Sequence, residues 1–409
     1  MNNHKQVLFI LGAGSTAFLD IPPTKNHVDI FKNKIYKADG NLYRLQQIIY
    51  GLFGKDNFDM NDVYNIIDNN ILLNNGLHYG KYSLSPYDLK RVKQDLIDKI
   101  FKVFRKRISK RKSHEYEQLV NFYYELAKLG ITNKLSNCAN LENRKEFLLD
   151  YSIINFNWDL YSIMPIIEAH DKFNHFEHLA IGTNRACDLK IYTDFNCEYA
   201  SGDEKDKLWY PFTESAAHVV NSNKYDSVRR VFLLKAYYPH GLMNLYKCPS
   251  CSKHSLYMGN LTIDSVLKRM KKSKIYKCPY CGTVITHFDF DVLVQSNFKT
   301  RNSFLEELNL SIETEIQKAD KIIFIGYSLP PDDIDKRVIF KAYCRNKDIY
   351  VVLLDNQHLV NEFIPSNQVI SDKPEIKHFK DVFEKQNHLY FNLAGFPSAI
   401  DPILKIVEE

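Results

Sequence analysis

Short runs of apolar residues without polar alternation recur along the 409-residue chain. The first run covers residues 7–11, and further runs lie at 151–156, 231–235, 322–325, 349–354 and 389–393. Runs of this length and texture are typical of parallel strands whose two faces are both covered by helices. The pattern predicts an α/β fold in which a Rossmann-like, mostly parallel sheet is assembled discontinuously from residues 1–409.

Two stretches interrupt this strand pattern, and we predict that both are insertions. Residues 36–145 are helical in texture. One helical face there has apolar residues at spacings of three and four: Leu89, Val92, Leu96, Ile100 and Val103. Ser113 is expected to cap a second helix and Gly130 to end it. Residues 246–286 are rich in cysteine and are predicted to form a small zinc-ribbon module.

Four of the eight cysteines form two Cys-Pro-x-Cys pairs, Cys248 with Cys251 and Cys278 with Cys281. Their C-x2-C-x26-C-x2-C spacing offers four thiolates in two knuckles, which is the ligand set of a tetrahedral zinc. Two redox-active pairs are the alternative interpretation. Since four cysteine ligands leave no open coordination position, we expect a structural zinc and not a catalytic one.

The first predicted strand leads directly into Gly12-Ala13-Gly14-Ser15-Thr16-Ala17, which matches the pattern G-x-G-x-x-G/A. Glycines allow the backbone to approach a pyrophosphate, and a helix that follows supplies free N–H groups. A plain strand-to-helix turn is the alternative. The acidic residue expected about 20 positions later, at the end of a second strand, is missing, so the chain is not an ordinary Rossmann dehydrogenase.

Small or polar residues also follow the other predicted strands. They are Asn157 and Asp159 after the second run, His240 after the third, Gly326 and Ser328 after the fourth, and Asp355 and Asn356 after the fifth. Because open α/β sheets bind ligands outside the carboxyl ends of their strands, three of these strand ends point to one crevice: the Gly12–Gly14 loop, Gly326 with Ser328, and Asp355 with Asn356. We expect Ser328 to donate to a phosphate and Asp355-Asn356 to bond a ribose. Taken singly, an Asn or Asp at a strand end is more often a helix cap than a catalyst, a lone histidine is more often structural, and the glycine turn is compatible with a plain tight turn.

Charge and hydropathy exclude few functions, but they are those of an ordinary globular protein. Lys and Arg number 54 against 49 Asp and Glu, so the net charge of +5 does not indicate a nucleic-acid-binding protein. Two basic runs, 102–112 and 268–274, are either solvated helix faces or contacts for nucleic acid or a partner protein. The apolar runs are far shorter than the roughly 20 residues of a membrane-spanning helix, and no signal peptide is evident. We therefore expect a cytoplasmic protein with no membrane association.

In order and spacing, these motifs resemble those of the sirtuin family. The family's GAGxS loop and following G-I-P stretch correspond to Gly12-Ala13-Gly14-Ser15 and Asp20-Ile21-Pro22. Its Q-N-x-D motif corresponds to 156–159, its catalytic H-G to His240-Gly241, and its G-T-S to Gly326-Tyr327-Ser328. The resemblance covers most of the chain apart from the helical insertion.

Several positions depart from the deacetylases of that family. Pro23-Thr24-Lys25 replaces Asp-Phe-Arg, Phe156 replaces the glutamine, and residues 287–291 do not match the peptide-binding F-G-E stretch. Residues 326–335 and 57–64 look like those of bacterial sirtuin-like proteins of anti-phage defence. Those proteins hydrolyse NAD and thereby starve the infected cell.

The resemblance implies an NAD+ glycohydrolase that serves as an effector of abortive infection. It implies that Asn157 and Asp159 hold the nicotinamide ribose and that His240 acts on a ribose hydroxyl or on water. The remaining expected NAD contacts are Gly12, Ala13, Gly14, Ser15, Asp20, Pro22, Gly326, Ser328, Asp355 and Asn356. A lysine deacylase and a non-catalytic NAD or ADP-ribose sensor are the alternatives. Because constant NAD loss would kill the host, we expect control by homo-oligomerisation or by a partner such as an ATPase of the same system.

Overall fold

The structure, a computed structural model, describes the following residues: 5–21, 27–32, 40–108, 113–135, 147–176, 188–201, 208–210, 217–218, 221–222, 229–259, 276–285, 303–331, 333–385 and 388–409. Its α-helices within these ranges are α1 (His27–Lys32), α2 (Asn41–Phe53), α3 (Met60–Leu72), α4 (Pro86–Ile108), α5 (Ser113–Leu135), α6 (Met164–Phe176), α7 (Ser303–Lys318), α8 (Ile334–Tyr343), α9 (Pro374–Phe383) and α10 (Ile400–Glu408).

Within the same described ranges, the strands form one large sheet and three small ones. They are β1 (Val7–Leu11), β2 (Leu77–Tyr79), β3 (Tyr82–Leu84), β4 (Leu148–Asn155), β5 (Asp188–Asp194), β6 (Glu198–Ser201), β7 (Leu208–Tyr210), β8 (Arg229–Tyr237), β9 (Leu245–Lys247), β10 (His254–Gly259), β11 (Tyr276–Lys277), β12 (Val284–Ile285), β13 (Lys321–Ile325), β14 (Asp348–Val352), β15 (Ile364–Pro365) and β16 (His388–Asn392).

The large sheet has eight strands in the order β15-β16-β14-β13-β1-β4-β8-β5. Every neighbouring pair is parallel except the short β15–β16 pair at one edge. All six predicted apolar runs are strands of this sheet, so the predicted Rossmann-like, mostly parallel α/β fold is confirmed. Two edge strands, β5 and β15, have no counterpart among the predicted runs.

The side chains of β1 show why its sequence is apolar at every position. Val7, Phe9 and Leu11 belong to the core beneath α2–α6 and α10, whereas Leu8 and Ile10 belong to the core beneath α7–α9. Successive side chains of a strand point to opposite faces, and here both faces are covered by helices. Alternation is therefore absent because neither face of β1 meets solvent.

Within the predicted insertion 36–145, the described residues 40–108 and 113–135 form the helices α2–α5 and the hairpin β2–β3, and the status of the region as an insertion stays a prediction. Leu89, Val92, Leu96 and Ile100 are fully buried in α4. Gly130 does not end the second helix, since α5 continues to Leu135. A Cβ atom at Gly130 would lie 2.9 Å from Tyr151 Cε1, so the glycine allows α5 to approach the sheet closely.

The stretch 57–64, part of the resemblance to defence proteins, forms the start of α3. Asp59 accepts a hydrogen bond at Oδ1 from the Asp62 N–H, and Asp62 Oδ2 accepts one from the Asp59 N–H, both at 3.0 Å. This reciprocal pair is a capping box that satisfies two helix-terminal donors. The local role of this stretch is therefore helix initiation.

Several sequence predictions lie outside the described residues, namely Pro22, residues 23–25 and 287–291, the basic run 268–274, and the end of the run 102–112. Among the described helices, none is both long enough and apolar enough to cross a membrane.

Candidate active site

The order of the strands reverses between β1 and β13. From β1 the chain proceeds to β4 on one side, whereas from β13 it proceeds to β14 on the other side. Leu11 pairs with both Asn155 and Ile325, so β13, β1 and β4 end side by side at the same level of the sheet. Such a topological switch point is where open α/β sheets bind ligands.

The glycine loop after β1 packs backbone to backbone against the turn after β13. The Gly14 N–H donates to the Gly326 carbonyl at 2.9 Å, and the Gly12 N–H donates to the Ile325 carbonyl at 3.0 Å. A Cβ atom on Gly326 would lie 2.3 Å from the Gly14 carbonyl carbon, and Gly326 has a left-handed φ of 61°. Glycine is therefore required at this contact by sterics before any ligand is considered.

The α-helix expected directly after the glycine loop is not formed. Two short 3-10 turns, Ala13–Ser15 and Ala17–Leu19, follow β1, and Asp20 then adopts a left-handed φ of 60°. The N–H groups of Ser15 and Thr16 bond back to the carbonyls of Gly12 and Ala13. The loop is thus a closed turn and does not present the N-terminus of an α-helix to a phosphate.

Asn157 joins the end of β4 to this loop. Its Nδ2 donates to the Gly12 carbonyl at 3.0 Å and to Ser15 Oγ at 3.1 Å. Asn155 accepts the Asn157 N–H at 2.9 Å and fixes the backbone there. Within the described part of the chain, Asn157 Oδ1 accepts no hydrogen bond. The structure therefore brings two predicted elements together, and Oδ1 is the atom that Asn157 can offer to a ligand.

Asp159 lies next to Thr16, at the end of the glycine loop, and only 2% of its surface is exposed. Its Oδ2 lies 3.4 Å from Thr16 Oγ1, and its Oδ1 has no hydrogen-bond partner among the described residues. Burial raises the pKa of Asp159 to about 6, although hydrogen bonds from nearby N–H groups act in the opposite direction. Tyr238, whose pKa is also raised by burial, lies close enough to feel the Asp159 charge. The site therefore holds a carboxyl group that titrates near neutrality.

His240 follows β8, and aromatic rings connect it to the turn after β13. Its imidazole and the Phe156 ring form a T-shaped pair with centroids 5.0 Å apart, and Phe156 stacks on Tyr327 at 4.5 Å. The Tyr327 hydroxyl donates to Asp333 Oδ2 at 2.7 Å, and Asp333 Oδ1 lies 3.5 Å from His240 Nε2. Met243 N–H donates to the Trp158 carbonyl and ties this segment to the end of β4.

Three members of this arrangement, Phe156, Tyr327 and Asp333, received no functional role from the sequence. Phe156 and Tyr327 appeared only as departures from family motifs. Asp333 lies within the stretch 326–335 that carried part of the resemblance, so a signal was present, but an acid in a loop does not reveal its partner.

Less direct support exists for the other predicted NAD contacts that the structure describes, namely Asp20, Ser328, Asp355 and Asn356, which follow the carboxyl ends of β1, β13 and β14. Burial acts to raise the pKa of Asp355, but hydrogen bonds from Ser371 and the Gln357 N–H hold it below its usual value. Its carboxylate is thus engaged by its own loop, while Asn356 and Asp20 are exposed and Ser328 is half-buried. The ribose role of Asp355-Asn356 stays a prediction, as does the NAD-binding role of Ser328, Asp20 and Pro22.

The four predicted zinc ligands converge. The sulfur atoms of Cys248, Cys251, Cys278 and Cys281 all lie within 4.8 Å of one another. The Cys248–Cys281 and Cys251–Cys278 sulfur pairs are 3.6 Å apart, too long for disulfides and close to the roughly 3.8 Å edge of a tetrahedron with 2.3 Å Zn–S bonds.

The backbone repeats in the two knuckles. The N–H groups of Cys248 and Cys278 donate to the carbonyls five residues on, and their own carbonyls accept from Ser252 and Gly282. Burial raises the pKa of Cys278 to about 12, so a cation is needed to hold it as a thiolate. The donor set therefore fits a structural zinc, with no position left for substrate.

A cavity of about 590 Å³ lies between the sheet and α10, lined by Tyr350, Tyr390 and Lys405 among others. None of the predicted site residues lines it. We therefore place the candidate site at the switch point, where the chemical groups converge, and not at this cavity.

No protein-family model matches the chain, and no curated protein matches it. Solved structures with some similarity include a Sir2 homologue in complex with NAD, at 12% identity and a TM-score of 0.38, covering 98% of this chain and 90% of the other. A mutant Sir2 homologue in complex with 2′-O-acetyl ADP ribose has 12% identity and a TM-score of 0.37, covering 98% and 91%. Similarity at this level does not by itself establish the family, the ligand or the activity.

Proposed function

We propose that this protein is an NAD+ glycohydrolase that releases nicotinamide and ADP-ribose and depletes NAD in the bacterial cytoplasm during anti-phage defence. The observation that carries the proposal is the convergence at the switch point of the Gly12–Ser15 loop, Asn157 and His240. These are the elements whose order along the chain resembles the sirtuin motifs, and the fold places them on adjacent strand ends.

The chemistry required is modest and matches the groups present. Cleavage of the N-glycosidic bond passes through a cationic, oxocarbenium-like state, and nicotinamide leaves as a neutral molecule because its ring starts as a cation. A strong general acid is therefore unnecessary. The buried Asp159 carboxylate stabilises the developing positive charge, and Asn157 Oδ1 positions the ribose or the attacking water. His240 accepts the proton that is released.

The departures from the deacetylase motifs favour water over an acyl-lysine as the nucleophile. Residues 23–25 and 287–291 lack the family's Asp-Phe-Arg and F-G-E signatures. Control of the activity falls to assembly, either as a homo-oligomer or with a partner such as an ATPase. The four-cysteine module holds its zinc as a structural element.

Product analysis tests this function. The purified chain is incubated with NAD, with and without an acetyl-lysine peptide, and nicotinamide, ADP-ribose and acetyl-ADP-ribose are separated by chromatography. The same metabolites are measured in phage-challenged cells that express the chain. Equimolar nicotinamide and ADP-ribose that do not depend on peptide support the proposal.

Two outcomes contradict it. Acetyl-ADP-ribose formed only with peptide identifies a deacylase. NAD that binds but stays intact, both in the purified reaction and in challenged cells, identifies a sensor.

A further inference from the structure

Asp333 occupies a place in the fold where an acid usually has a simple explanation. It precedes the first residue of α8, and an aspartate at that position commonly caps the helix. Here its side chain makes no capping hydrogen bond to α8. Instead the carboxylate turns toward the end of the sheet, where Oδ2 accepts from Tyr327 and Oδ1 approaches His240. With 2% of its surface exposed, Asp333 is a buried acid directed at the candidate site.

Hydrogen bonds to the side chain and the backbone of Asp333 hold its carboxylate in place. The Tyr327 hydroxyl bonds to Oδ2 at 2.7 Å, the Asp333 N–H donates to the Pro330 carbonyl at 3.1 Å, and the Asp333 carbonyl accepts from Arg337 N–H at 3.0 Å. Phe156 stacks on the Tyr327 ring and forms a T-shaped pair with the His240 imidazole. One side of the imidazole thus faces a fixed carboxylate, and a fixed phenyl ring limits its rotation.

We propose that Asp333, fixed by Tyr327, is a positioning residue that orients the His240 imidazole for NAD cleavage, an inference that rests on the function proposed above. The carboxylate accepts a hydrogen bond from Nε2–H, so the neutral ring keeps its proton on Nε2 and its lone pair on Nδ1. The Oδ1–Nε2 distance of 3.5 Å is long for a hydrogen bond, and such contacts tighten when substrate closes a site. A buried carboxylate that fixes the tautomer and orientation of a catalytic histidine is an established device in enzymes.

Asp333→Asn is the first test, because asparagine keeps the shape and still accepts from Tyr327 but loses the charge. We expect kcat to fall about 10²- to 10⁴-fold while KM changes less than about threefold. Tyr327→Phe leaves the carboxylate in place but removes its support, and we expect a loss of about tenfold. Asp348→Asn is the matched control. Asp348 Oδ1 pairs with His388 Nδ1 at 2.9 Å at the amino ends of β14 and β16, whereas the candidate site lies at the carboxyl ends of the strands. This control should keep the parent kcat.

The second test does not depend on turnover. Nitrogen-15 NMR of histidine-labelled protein, with His240 assigned by its absence in His240→Gln, reports the Nε2-bound proton. We expect a protected imidazole proton in the parent, and its loss through rapid solvent exchange in Asp333→Asn. If Asp333→Asn does not fold, Tyr327→Phe should show a faster exchange of the same proton.

Distinct results separate this inference from the function on which it rests. Parent-like kcat in Asp333→Asn, or an imidazole proton that exchanges equally fast with and without the carboxylate, overturns the role of Asp333. A parent that never cleaves NAD removes the proposed function, and the NMR comparison then still decides whether Asp333 holds His240. Equal losses in Asp333→Asn and Tyr327→Phe, together with equally lowered melting temperatures, identify a merely structural role and also overturn the proposal.

Discussion

Substitution of Gly326 by alanine tests whether the contact between the two glycine turns shapes the site. The new Cβ atom would lie 2.3 Å from the Gly14 carbonyl carbon and from Ser15 N, and all three nearest atoms belong to backbone. Ordinary contact begins at 3.4 Å, so the Gly14–Ser15 segment must retreat by about 1 Å. The movement strains the Gly14–Gly326 hydrogen bond and the Asn157–Ser15 hydrogen bond together.

The expected cost has two parts that a control separates. Alanine in a left-handed conformation costs about 1–2 kcal/mol. Overpacking against backbone adds about 1–3 kcal/mol. Gly80 has a similar φ of 56° but nothing within 4 Å of its virtual Cβ, so Gly80→Ala carries only the first cost. With about 2.1 cal/mol/K of unfolding entropy per residue over 409 residues, the second cost lowers the melting temperature by about 1–4 °C.

The assay combines scanning calorimetry with NAD cleavage on the parent, Gly326→Ala and Gly80→Ala. A displacement of about 1 Å in the loop should reduce kcat/KM by about 10²-fold in Gly326→Ala. Gly80→Ala should cleave NAD as the parent does. If Gly326→Ala and Gly80→Ala have the same melting temperature and cleave NAD equally fast, the packing of the loop on Gly326 does not shape the site.

Two further predictions concern the zinc module and Asp159. Cys278→Ser should lower zinc content and solubility together, whereas Cys344→Ser, at a buried cysteine outside the cluster, should keep its zinc; metal analysis that finds no zinc in the native protein contradicts the assignment. The native pKa of Asp159 is raised from 3.8 to about 6, so the native state binds this proton more tightly and the free energy of unfolding falls as pH rises from about 4 to 6. The free energy of unfolding of Asp159→Asn should therefore rise by roughly 3 kcal/mol relative to that of the parent between pH 4 and 6. If denaturant titrations give the same difference in free energy of unfolding at every pH from 4 to 7, Asp159 does not carry a buried charge.

The sequence predicts the central strands well because both of their faces are buried. β1 occurs at the predicted residues, and the run at 322–325 differs from β13 by one residue. The hairpin β2–β3 is missed because strands of three residues are too short to show a period. Gly130 is misinterpreted as a helix end because a close helix–sheet approach demands glycine as strongly as a cap does.

The site is predicted in part, for similar physical reasons. The two Cys-x-x-Cys pairs show in the sequence which thiols belong together, and the four sulfur atoms converge as expected. Strand-end motifs place Asn157 beside the glycine loop once the sheet order is known. The link between Asp333 and His240 joins residues 93 positions apart in sequence through a side-chain contact, and no local pattern encodes such a contact.

The catalytic roles of His240 and Asn157 are decided by NAD cleavage in His240→Ala and Asn157→Ala. His388→Ala is the control, because its imidazole is exposed at the amino ends of the sheet strands, away from the candidate site. We expect NAD cleavage by His240→Ala to fall about 10²- to 10⁴-fold at an unchanged melting temperature. For Asn157→Ala we expect a loss of about 10²- to 10³-fold and a lower melting temperature, since two hydrogen bonds to the loop disappear. Parent-like release of nicotinamide by folded His240→Ala, under conditions in which His388→Ala is fully active, would show that His240 is not catalytic.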